Sequence, residues 1–127
     1  NPDDQIIGDE PYVADTLHRS FDSGSPHAID EVRTIADSLG APFALPASFA
    51  IAHAHIDNLV RIEDAEMLAA MSLFQENLRI TAEPACAASL AALIGPLRDR
   101  VKGQHVGIIA CGSNISLTRY ADLMAAS

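Results

Sequence analysis

Lysine is nearly absent. Among 127 residues there is one, Lys102, beside seven scattered arginines, and the balance of eight basic against seventeen acidic residues leaves a net charge of −9. Phosphate neutralisation needs clustered cations, so nucleic acid and anionic membrane are excluded as partners. Tryptophan is absent and aromatics make up 5%. Two cysteines, Cys86 and Cys111, lie far apart without a Cys-x-x-Cys or Cys/His spacing, which argues against a disulfide framework and against zinc. Apolar stretches such as Ala85 to Leu97 are broken by Ser, Gly and Pro and are too short to span a bilayer. Asn1-Pro2-Asp3-Asp4 is not the basic start of a secretory signal. A cytoplasmic setting is therefore expected, and a start on Asn1 rather than Met leads us to expect a processed chain or a piece of a longer one.

Apolar residues are plentiful, at 49%, with a mean hydropathy of +0.15. That suffices for a core and excludes intrinsic disorder. Gln5 to Gly8 reads as a short buried strand, followed by Val13, Leu17 and Phe21 at helical spacing and a stop at Ser23-Gly24. The segment to Leu39 is mostly loop with one short helical turn. Ala47 to Ile56 is a short helix, Asn58 to Ile62 a strand, and Glu63 or Asp64 caps a helix carrying Met67, Ala70, Met71, Phe74 and Leu78 on one face. Leu78 to Thr81 reads as extended. Pro84 opens a helix with Leu90, Leu93, Ile94 and Leu97, His105 to Ala110 reads as a strand covered on both faces, and Leu117 to Met124 is helical. Strands alternating with helices imply an α/β fold: a parallel sheet with helices on both faces.

In such sheets ligands bind beyond the carboxyl ends of strands. The residues there are Asp9-Glu10, Glu63-Asp64, Glu83-Pro84 and Cys111-Gly112-Ser113-Asn114. A thiol, a glycine and two small polar groups at a corner can approach a flat ligand closely. The same corner also reads as a plain N-cap by Ser113 or Asn114 with Cys111 a small core residue, and the residues alone leave both open. Glu83 reads on its own as a first-turn carboxylate favoured by the helix dipole. Asp9, Glu10 and Asp15 carry the oxygen chemistry of a Mg²⁺ or Ca²⁺ site, but three acids in an acidic chain more commonly form a solvated face. His53 and His55, two apart, diverge on a helix and read as surface or packing residues.

Five collinear blocks then resemble one family. They are Ile6-Ile7-Gly8-Asp9-Glu10-Pro11 with Ala14-Asp15, Thr34-Ile35-Ala36-Asp37-Ser38-Leu39, Asp57 to Met67, Glu83-Pro84-Ala85-Cys86-Ala87-Ala88, and Ile109-Ala110-Cys111-Gly112-Ser113-Asn114. Together they resemble the C-terminal part of the large domain of the serine/threonine dehydratase and serine racemase family, the fold type II pyridoxal-phosphate enzymes.

The resemblance implies that residues 1–127 form a single α/β segment of a cofactor-binding domain. It implies that Cys111 meets the pyridine nitrogen of pyridoxal 5'-phosphate, with Glu83 near the ring and Gly112, Ser113 and Asn114 shaping the wall. A neutral thiol tempers the cofactor's electron sink, which suits β-elimination. The family's cation site maps to Glu10, Ala14 and Thr16, where Thr16 replaces an acid. The Schiff-base lysine and the glycine-rich phosphate loop have no counterpart here, and Lys102, in a charged turn, is unsuited to that role, so no catalytic residue is assigned in this chain. The activity implied is that of an ammonia-lyase acting on a small β-hydroxy amino acid to give a keto acid and ammonia, in company with the rest of the enzyme chain and as a homodimer. A non-catalytic interaction or regulatory module, a racemase and a threonine synthase relative are the alternatives.

Overall fold

A computed structural model describes residues 3–126. Two strands, β1 (Ile7–Pro11) and β2 (Asn58–Ile62), pair in parallel with Ile7 opposite Asn58 and Glu10 opposite Arg61. Parallel pairing demands a long crossover, which here runs through α1 (Thr16–Ser23), a loop with a single 3₁₀ turn at Asp37–Leu39, and α2 (Pro46–His55). Gly24 ends α1 in the left-handed region, at φ 70°. Pro46 opens α2 at its first position, where a missing N–H costs nothing.

Side chains alternate across a strand, and the sheet uses both faces. Ile7, Val60 and Ile62 point into the core built by α3 (Asp64–Leu73) and α4 (Pro84–Ile94), which pack on each other and lay α4 across both strands. Met67, Met71, Ala87 and Ala91 are fully buried at that junction. Small alanines on α4 let α3 approach closely while the flexible methionines fill what remains. On the opposite face Gly8 lies under Leu59 and Ile56, and Glu10 and Arg61 face α1. The expected parallel sheet with helices on both faces is what forms.

At the start of α3 the Glu66 carboxylate reaches back to the N–H of Glu63 at 2.7 Å. That leaves Asp64 free to hold the distant loop, accepting from the Thr34 hydroxyl at 2.7 Å and the Ile35 N–H at 3.0 Å. A Thr-Ile-Ala-Asp block thirty residues upstream is tied down by the helix start it neighbours.

Two expected extended segments differ. Leu78 closes a π-helical turn, Phe74–Leu78, and Arg79 follows in the left-handed region at φ 59°. Its guanidinium donates to the Gln75 and Glu76 carbonyls at 3.3 and 2.8 Å, so the side chain closes the helix end that a glycine would normally close. His105 to Ala110 is not a strand: it is irregular, and Ile109 is 77% exposed. A strand requires a ladder partner, and among the described residues this segment pairs with none: the sheet consists of β1 and β2. The last helix, α5 (Leu117–Ala125), begins at Ser116, whose hydroxyl caps the Arg119 N–H at 3.1 Å.

Candidate active site

The segment after residue 108 is held against α4 at two points. The Glu83 N–H donates to the Gly112 carbonyl at 3.3 Å, and the Ser89 hydroxyl donates to the Ile109 carbonyl at 3.2 Å. These bracket Cys111, which is exposed and lines the 490 Å³ cleft together with Asp9, Ala85 and Ser89. Gly112 adopts φ 100°, and a side chain there would run into the Glu83 carboxylate. Backbone at this corner thus approaches Glu83 as closely as it can, a cradle that only glycine permits.

Glu83 does not cap its own helix. It occupies the position before Pro84, yet its carboxylate makes no capping bond and lies beside Gly112 instead. With Asn114 it also lines a second hollow of about 310 Å³ bordered by Thr34, Asp37, Ser116 and Arg119. Ser113 and Asn114 are exposed, and the cap of α5 is Ser116, so the reading of Ser113 or Asn114 as the N-cap does not hold. Cys86 is buried, and burial, reinforced by Cys111 and Glu83, pushes its thiol up, keeping it a neutral packing group. The residue the sequence reading overlooked is Ser89. Its one signal is a hydroxyl within an otherwise apolar helix face, and it fixes the Ile109 carbonyl two residues before the thiol.

Asp9, Glu10 and Asp15 are not brought together. Asp9 faces the cleft, and burial pushes its carboxyl up. Glu10 points the other way: its Oε1 accepts from the Leu17 N–H at 2.9 Å and its Oε2 from the His18 N–H at 2.7 Å. Burial pushes Glu10 up against the pull of those two donors, with Asp15 and Asp9 adding to the rise. Asp15 is 2% exposed and bonds Arg19 at 2.6 Å and Arg61 at 3.0 Å, while the Arg61 guanidinium also lies 4.7 Å from the Tyr12 ring centre. Burial alone would raise Asp15, but the two arginines outweigh it and hold the carboxyl below the usual aspartate range.

The sign of the resulting pH effect follows. A depressed carboxyl stabilises the fold above its unfolded pKa, and that contribution is lost as pH falls through the folded value. Asp15→Asn is expected to cost about 1–3 kcal/mol at neutral pH, from loss of charge-assisted hydrogen bonds. The deficit against wild type should shrink on acidification below the usual aspartate range, which urea melts across pH would register.

Among the described residues no three or more His, Cys, Asp or Glu side chains are grouped as a metal site, and no helix is long and apolar enough to cross a membrane. His53 packs edge-on to Phe21 at 5.2 Å and against Phe49 at 5.3 Å, a packing role as expected. Lys102 is exposed in its turn.

Residues 1–112 match one family model, described as pyridoxal-phosphate dependent enzyme. The chain belongs to that family. It is similar to the phenylserine dehydratase of Ralstonia pickettii, at 41% identity over 94% of this chain and 37% of the relative. It is similar to an L-threo-3-hydroxyaspartate ammonia-lyase of a Pseudomonas species, at 33% over 98% of this chain and 39% of the relative. The solved structure of maize serine racemase superposes with a TM-score of 0.86 at 27% identity, over 99% of this chain and 41% of that one. The chain therefore spans somewhat over a third of the length of the curated relatives it matches.

The residues at the corner fit the family's cofactor. Cys111, Ser113 and Asn114 are exposed groups able to hydrogen-bond a ligand, while the space beside Gly112 is taken by the Glu83 carboxylate.

Proposed function

We propose that the protein to which this chain belongs is a pyridoxal-phosphate ammonia-lyase of the threonine/serine dehydratase type, converting a small β-hydroxy amino acid to a keto acid and ammonia. Residues 1–127 correspond to the C-terminal portion of its large domain. The observation that carries this reading is the match, over 94% of the chain, to a dehydratase of a β-hydroxy amino acid. The cofactor supplies an electron sink for the bond broken at Cα. The contribution of this chain is the wall. Cys111 would offer its thiol to the pyridine nitrogen, Gly112 would let the Glu83 carboxylate sit against the corner, and Glu83, Ser113 and Asn114 would border the ring. The residue that bonds the cofactor covalently lies outside this segment.

Exposed apolar side chains on and before α2, Phe43, Leu45 and Ile51, are the surface expected to meet the remainder of the enzyme or a second copy of it.

The intact protein should bind pyridoxal phosphate with visible absorbance and release ammonia from 3-phenylserine, threonine, serine or 3-hydroxyaspartate. Cys111→Ser should keep the cofactor, whereas Cys111→Ala should weaken it by about fivefold, the worth of one ordinary hydrogen bond. Absence of cofactor absorbance, or of ammonia from every one of these substrates, sinks the proposal. The similarity to serine racemase favours racemisation as a second reading, and the ratio of keto acid to D-serine formed from L-serine separates the two.

A further inference from the structure

The family resemblance places a divalent cation between Glu10, the Ala14 carbonyl and the side chain at position 16. The donors in this chain do not fit one. Calcium needs about six to eight oxygens and magnesium a near-octahedral set, each with lone pairs turned inward. Both Glu10 oxygens are instead turned to the first turn of α1, on the Leu17 and His18 N–H groups. Thr16 brings no charge, and its hydroxyl donates to the Ala41 carbonyl at 2.6 Å. Asp15, the remaining acid within reach, is saturated by Arg19 and Arg61, and Asp9 lies on the other face of β1.

The helix start explains why. Asp15 stands at the N-cap of α1 but makes no capping bond, because its carboxylate is committed to the two arginines. The orphan N–H groups of the first turn, with the positive end of the helix dipole, need another anion. Glu10, projecting from β1, is that anion. We infer that Glu10 is a positioning residue that locks α1 onto the end of β1 from across the loop, and that the protein needs no divalent cation at this position. The work a metal ion would do, joining strand end to helix start, is done by a carboxylate and two backbone N–H groups.

The test uses the intact protein, dialysed against EDTA and then supplied with millimolar Mg²⁺, Ca²⁺ or Mn²⁺, with the thermal midpoint as readout and Mn²⁺ binding followed by calorimetry. Wild type should show the same midpoint with and without cation. Glu10→Gln should lower it by several degrees, equally in EDTA and in Mg²⁺. A cation-induced rise that Glu10→Gln leaves intact arises elsewhere in the protein and agrees with the inference. Two results overturn it: a rise in wild type that Glu10→Gln abolishes, or a Glu10→Gln midpoint that does not move.

Discussion

Gly112→Ala is expected to weaken pyridoxal phosphate binding by the intact protein about tenfold or more. Two costs combine. At φ 100° an L-residue is strained, worth about 1–3 kcal/mol by itself. The new Cβ would also fall on the Glu83 carboxylate, with Cδ at 3.0 Å, and the corner cannot withdraw while the Gly112 carbonyl holds the Glu83 N–H. Either Glu83 is displaced from the wall or the Cys111 thiol moves with the backbone. Gly24→Ala is the control: its φ is 70°, yet nothing lies within 4 Å of the added carbon. It should cost stability only, with cofactor affinity unchanged. Equal affinity for Gly112→Ala and wild type, by absorbance titration, would remove the close-approach argument.

The second large effect lies in the core. Phe74 is 2% exposed where α3 passes into its π-helical turn, in one cluster with Met67, Met71, Ala88 and Leu123. Phe74→Ala should cost about 3–5 kcal/mol, since a helix junction pinned on both sides cannot collapse into the cavity. Against a typical total of about 5–15 kcal/mol that is enough to unfold a sizeable fraction of molecules. Met71→Leu, which roughly conserves volume, should cost less than about 1.5 kcal/mol. Urea unfolding of the intact protein gives both numbers, and a Phe74→Ala loss below about 1 kcal/mol would mean that the α3–α4 junction is looser than its burial indicates.

Much of the fold was legible because the signals were local. Asn58 to Ile62 is a strand over the same residues expected of it, and Ser23-Gly24, Pro46, Glu63 and Pro84 bound helices through capping chemistry that needs no distant partner. The extended reading of Leu78 to Thr81 failed because Arg79 reaches back to cap carbonyls and takes a left-handed conformation that composition does not advertise. The strand reading of His105 to Ala110 failed for a different reason. Its apolar run has the right residues, but ladder formation depends on a neighbour, and none of the described residues pairs with it.

The candidate site divides along the same line. Chain order and residue type were enough to place the chain in its family, because five short blocks in sequence order are a property of the string itself. What only the tertiary structure decided is where each acid points. Asp9, Glu10 and Asp15 are six residues apart at most, yet one faces the cleft, one caps a helix and one is enclosed by arginines. Strand alternation separates the first two, and partners contributed by α1 and β2 capture the third. A cation site is a matter of convergence in space, and proximity in sequence cannot supply it.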